Sequence, residues 1–146
     1  MDPENRTEPR TITIVAVVDV VGILASGSFA GSFYLIDNNR LRGSTGEGTD
    51  SLVTRVRPGD RIVWIAMTLE CEAFASITAV GIEKEGQRQY CDPHSYVYPN
   101  TNIVCWVADV AANAGGARIP YNLSFRLGSR TAAMTTTTTP QLDVQD

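Results

Sequence analysis

Cys91-Asp-Pro-His94 places a thiol three positions before the chain's single imidazole. A structural zinc ion accepts that C-x-x-H spacing, and Cys71 and Cys105 would complete a set of three thiolates and one imidazole. His94 is also the sole imidazole that could act as a general base, with Cys91 or Ser95 as nucleophile. Two features weigh against these readings. The other two cysteines stand alone in apolar stretches, where a free cysteine behaves as a small hydrophobe. Nothing around His94 resembles a nucleophile elbow or an oxyanion loop. Paired-carboxylate chemistry would need two acids in one cleft, and Glu70, Glu72, Glu83 and Glu85 read as solvated strand ends. The residues therefore predict a non-enzymatic chain with no catalytic residue, no metal ligand and no cofactor.

Two further stretches have binding potential. Tyr90, Tyr96 and Tyr98, with His94 between them, form a candidate ligand loop, since aromatic rings with a polar tip suit glycan or protein recognition. The bland alternative is that these tyrosines cover one end of the fold. Gly43 to Asp50 is rich in glycine, but it lacks the lysine of a phosphate loop and no helix follows it. Asp37, Asn38, Asn39, Glu47 and Asp50 match no calcium-loop spacing and are explained by turn formation.

The elements that position these residues are strands. Residues 118–127 alternate strictly, with Ile119, Tyr121, Leu123, Phe125 and Leu127 on one face and polar residues and Pro120 on the other. Pro120 predicts that this strand starts, or sits, at a sheet edge. Further strands are expected over residues 11–21, 32–37, 51–56, 61–69, 73–83 and 103–110, separated by turn formers such as Asp37-Asn-Asn and Pro58-Gly59. A helix over 107–114 is an alternative suggested by its alanines. The expected fold class is all-β, a single-domain antiparallel β-sandwich of about seven to eight strands. The expected division is an N-terminal arm over 1–10, the sandwich over 11–129 and a polar threonine-rich tail over 130–146.

Two strands are apolar on both faces. Val63, Ile65, Met67 and Leu69 oppose Ile62, Trp64 and Ala66, while Ile12, Ile14, Val18 and Val20 oppose Val15 and Val17. A sandwich strand needs only one dry face. The second face predicts self-association, with Val15, Val17, Ile62, Trp64 and Ala66 as candidate contact residues and a homo-oligomer as the expected state.

The composition narrows the partners. A net charge of −4 argues against a nucleic-acid partner, which requires basic surface. Arginine outnumbers lysine eleven to one, a bias that suits interfaces and equally suits a GC-rich genome. No apolar run is long enough to span a membrane, because the stretch from Ile12 to Leu24 is short and contains Asp19. Met1–Arg10 lacks a positive n-region, and three cysteines make an odd, sparse set. A cytoplasmic location is expected.

Pro58-Gly-Asp-Arg-Ile-Val-Trp64 resembles the strand entry of copper-binding cupredoxins, but a blue-copper site takes two histidines and this chain has one. A broader resemblance joins three blocks. These are Ile12-Thr-Ile-Val-Ala-Val-Val-Asp19; Tyr34-Leu-Ile with Gly46-Glu-Gly-Thr and Val56-Arg-Pro-Gly-Asp-Arg-Ile-Val-Trp64; and Trp106-Val-Ala-Asp-Val110 with Ile119-Pro-Tyr-Asn-Leu-Ser-Phe125. In this order they resemble the bacterial inclusion-body protein family of AidA/PixA type. The resemblance implies a small cytoplasmic β-sandwich with an assembly or storage-type role, held in inclusions, and no catalytic residues to carry over. The chain departs from that family's methionine-rich pattern, having only Met1, Met67 and Met134.

Overall fold

Strict alternation builds the two strands that anchor the molecule. The computed structural model describes residues 10–146, so the arm expected over 1–10 lies outside the described residues except for Arg10. Strand β1 (Thr11–Val18) buries Ile12, Ile14, Ala16 and Val18, and β8 (Arg118–Leu127) buries every second residue from Ile119 to Leu127. Each fully buried large side chain of this kind contributes roughly 1.5–3 kcal/mol. The remaining strands are β2 (Phe33–Asp37), β3 (Val53–Val56), β4 (Arg61–Thr68), β5 (Ala75–Ile82), β6 (His94–Val97), β7 (Val104–Asp109), β9 (Met134–Thr135) and β10 (Gln141–Val144). They form two stacked sheets, one ordered β2-β1-β4-β7-β6 and the other β3-β10-β8-β5 with β9 beside β8. The molecule is an all-β sandwich.

Its aromatic centre joins the two sheets. Trp64 of β4 meets Tyr121 of β8 edge to face, with ring centroids 5.5 Å apart. Phe29 and Phe33 pack on Phe125 of β8 at 5.6 and 6.4 Å.

The sheets are mixed where a purely antiparallel sandwich was expected. β1 pairs β4 in parallel over their whole length, and β10 pairs β3 in parallel. The cause is connectivity: β2 turns back on β1, β3 crosses to the other sheet, and β4 returns on the far side of β1.

Residues 130–146 are not a tail, because β9 and β10 lie within this stretch. Leu142 and Val144 of β10 are buried, and Thr136, in the middle of the threonine run, is buried with its hydroxyl accepting from Leu123 N–H at 3.1 Å. Threonine is a good strand former, which a compositional reading of the run overlooks.

Residues 11–21 are also not one strand. Asp19 ends β1 and caps a short helix α1 (Val20–Ser26), accepting from Gly22 N–H at 2.9 Å, and Gly27 closes the helix in the left-handed conformation at φ 73°. A Cβ on Gly22 would lie 2.6 Å from the Asp19 carboxylate, so a larger residue there would make the capping carboxylate shift. The Glu70 carboxylate accepts from Val20 and Val21 N–H at 3.1 and 3.2 Å, so it closes the helix start instead of being solvated.

Nor is β8 an edge strand, despite Pro120. The Tyr121 N–H reaches Pro140 O on the β10 side, so the missing Pro120 donor faces β5 just beyond its last pair, Ile82–Tyr121. Residues 107–109 belong to β7, and no helix follows over 107–114. The Pro58-Gly59 turn feeds β4 as expected. Asp60 N–H donates to Arg57 O at 3.0 Å with Gly59 at φ 91°, the geometry of a type II turn. The buried Asp60 carboxylate is paired with the Arg10 guanidinium at 2.8 Å and accepts from Arg57 N–H at 2.8 Å.

Candidate functional site

The outward face of the sheet ordered β2-β1-β4-β7-β6 gathers apolar and aromatic side chains. Pairing register fixes its members. Val15 lies between Ile36 of β2 and Ile65 of β4, and Val17 lies between Tyr34 and Met67. Val63 pairs with Val107 of β7, which in turn pairs with His94 of β6; Tyr96 pairs with Cys105. Because alternate side chains share a face, these residues form one continuous outer layer. Ile36, Met67, Tyr96 and Tyr98 are exposed, and Val15, Val17, Val63 and Ile65 are half-buried by their neighbours.

The candidate contact residues divide between the two sides of this sheet. Val15 and Val17 are on the outer face. Ile62 and Trp64 are wholly buried in the core and are not available to a second chain; Ala66, on the same side, packs against that core but is only half-buried, lining a cleft with Phe74 and Val104. The correction follows from register: Ile62 pairs with Ala108 and Ile12, and Trp64 with Ile14 and Trp106, all on the side facing the second sheet. The outward partners are Val63, Ile65 and Met67.

The tyrosine stretch is not a loop. Residues 94–97 form edge strand β6, paired antiparallel with β7. His94, Tyr96 and Tyr98 share the outer face and, with Arg61, Val63 and Val107, line an open cleft of about 560 Å³. The Tyr96 and Tyr98 rings meet edge to face at 6.3 Å. Tyr90 is elsewhere, packed against the core beside a single turn at residues 87–89, with its carbonyl accepting from Ala111 N–H.

Electrostatically, the cleft is closed on itself. Arg61 Nε donates to the Asp109 carboxylate at 2.9 Å. That hydrogen bond raises the guanidinium pKa and holds Asp109 below the usual carboxylate range, against the opposing effect of burial. Arg61 is therefore paired across the sheet with Asp109, in an ion pair whose two side chains are both more than half exposed.

Cys91 and His94 diverge. The Cys91 sulfur is buried in the core, and burial raises its pKa to about 12, with Asp92 and Asp109 adding to the effect; it is a thiol at neutral pH. Cys105 is also buried, and its pKa is raised by burial. Cys71 is exposed in the turn after β4. Among the described residues, no three histidine, cysteine or acidic side chains gather as metal ligands.

Asp37 and Glu47 are adjacent in the structure. Asp37 accepts from Asn39 N–H and the buried Thr54 hydroxyl, and Glu47 accepts from Asp37 N–H at 2.8 Å. Burial, reinforced by the Asp37 carboxylate, raises the Glu47 pKa. The arrangement ties the loop over 44–49 to the edge of β2.

The model of DUF8788, a domain of unknown function, matches residues 10–133. The chain belongs to the DUF8788 family. The family match takes in all but the last two strands. Among solved structures, this DUF8788 chain is similar to the crystal structure of inclusion body protein PixA from Burkholderia cenocepacia J2315. The TM-score is 0.75 at 15% identity, with 96% of this chain and 98% of that one covered. The fold is of PixA type. No curated protein sequence matches the chain. No helix among the described residues is long and apolar enough to cross a membrane.

Proposed function

We propose that this chain is a non-enzymatic protein whose role is self-association, of an assembly or storage type, in the cytoplasm. The observation that carries the reading is the outer face of the five-stranded sheet, with Ile36, Val15, Ile65, Val63 and Met67 side by side and no element laid over them among the described residues. Contiguous apolar surface rimmed by polar groups marks an interaction site. The five strands are four to eight residues long, and at about 4.8 Å spacing and about 3.3 Å per residue they present a face of roughly 500 Å², so contacts beyond this face are needed to reach the ~800 Å² per partner of a standard interface. PixA, which shares the fold, is described as an inclusion body protein, and this supports assembly as the role. The buried, protonated Cys91, unsuited to act as a nucleophile, supports the non-enzymatic reading.

Light scattering from micromolar to millimolar concentration tests the proposal. The expected result is a mass that rises above 15.8 kDa with concentration. A monomer across the whole range sinks it, and the Tyr96–Tyr98 cleft would then be screened for glycan and protein ligands.

A further inference from the structure

The two sheets present four edges; two are covered and a third is blunted. At the β2 edge, Leu35 exchanges backbone hydrogen bonds with the 48–49 turn, at 2.9 Å to Thr49 O and 2.8 Å from Gly48 N–H. At the β3 edge, Val53 does the same with Thr45, at 2.8 and 3.0 Å. The β5 edge is interrupted by a register shift between Ile77 and Ala79, and the Ile77 carbonyl is taken by the Trp106 indole N–H at 2.9 Å. A bulge and a capped carbonyl are devices that blunt an edge.

The β6 edge has none of these. Tyr98 N–H donates to Ile103 O on β7, so the backbones of His94, Tyr96 and Tyr98 face β7 and those of Ser95 and Val97 face outward. All four β6 residues are exposed, none is acidic, and no described residue meets the outward groups.

Resting on the self-association reading, we propose that β6 is the pairing edge, and that its occupant is β6 of a second copy in antiparallel, two-fold arrangement. The register is self-complementary. With the two-fold axis at Tyr96, Ser95 N–H donates to the Val97 carbonyl of the partner copy and Val97 N–H donates to its Ser95 carbonyl. The symmetry repeats both bonds, giving four in all. An isologous interface requires this kind of match of one surface with itself. On the outer face the two Tyr96 rings become a direct cross-strand pair and each His94 comes opposite the other copy's Tyr98, with no like charges opposed. The exposed Val97, Tyr98 and Ile103 side chains flank the seam. The two five-stranded sheets become one ten-stranded sheet, and their apolar outer faces become continuous. The seam alone is at the small end of stable interfaces, so pairing at about micromolar concentration is expected.

Val97→Pro removes an outward N–H that the monomer does not use, and proline is tolerated at such a position on an edge strand. It should weaken dimerisation about thirtyfold or more, because each dimer loses two hydrogen bonds and meets two rings, with the thermal midpoint of the monomer unchanged. A second variant guards against misfolding. In a Cys71→Ser, Cys105→Ser background, which also removes the thiol paired with position 96 in its own chain, Tyr96→Cys should give an interchain disulfide under copper-catalysed oxidation by dioxygen, because the two-fold axis places residue 96 against itself. If wild-type protein scatters as an oligomer while Val97→Pro associates equally well and Tyr96→Cys stays uncrosslinked, the β6 seam is wrong and assembly uses another surface. If wild-type protein is a monomer throughout, both readings fall, and the open edge is left for an extended segment of a different protein.

Discussion

The two faces of β4 have nearly the same composition but different fates. Ile62 and Trp64 face the second sheet and are sealed, whereas Val63, Ile65 and Met67 face outward and remain reachable. The difference lies in what lies opposite: β8 and its aromatic partners on one side, and nothing among the described residues on the other. Apolar character alone thus fails to distinguish core from contact surface. Pairing register distinguishes them, because it assigns each residue to a side.

The sharpest way to break this comparison is on the sealed face. Trp64→Ala should cost about 3–5 kcal/mol, read by chemical denaturation, because it empties the contact with Tyr121. Leu142→Ala should cost about 2–5 kcal/mol by the same measurement, since Leu142 is wholly buried between β3 and β8. A loss well below this range would return residues 130–146 to the status of a tail. On the open face, Ile65→Ser should change monomer stability by about 1 kcal/mol or less while lowering the scattering mass at high concentration. A loss as large as that of Trp64→Ala would mean that the two faces are equally buried.

The smallest effect expected comes from Glu47. Its pKa is raised in the folded chain, so the folded state holds this proton more tightly than the unfolded state does. That contribution to stability is complete below the ordinary glutamate range and is lost as pH rises through the folded value. Glu47→Gln should flatten this part of the pH–stability profile from thermal melts, and an unchanged slope would show that Glu47 is not its source.

Much of the fold was legible because β strands write a period of two. β8 reads from Arg118 to Leu127 with both bounds correct, and the Pro58-Gly59-Asp60 turn before β4 is equally plain. α1 was hidden because apolar residues resume directly after Asp19, so that both sides read as one strand; the usable signal was an N-capping residue followed by Gly27 as a C-cap. The strands over 134–144 were hidden by low complexity, although Leu142 and Val144 alternate with polar residues in the ordinary way. For the site, sequence recognised that two strands had a surplus apolar face, but the side on which Ile62 and Trp64 fell required knowing that β1 and β4 run parallel. The tyrosines of β6 were recognised as exposed while their role as a sheet edge was not, since a four-residue strand between two prolines, Pro93 and Pro99, reads as a loop.

The position of β10 has a consequence in time. It is the last strand in chain order among the described residues, yet it is inserted between β3 and β8. During synthesis β3 has no neighbour on that side until residues 141–144 have left the ribosome. Until then Leu52, Val56 and Ile119 line a gap in a half-built layer. Closure of the sandwich therefore waits for residues 141–144, and the nascent chain spends that interval with an unfilled slot of strand width, into which the corresponding segment of a neighbouring nascent chain would fit equally well.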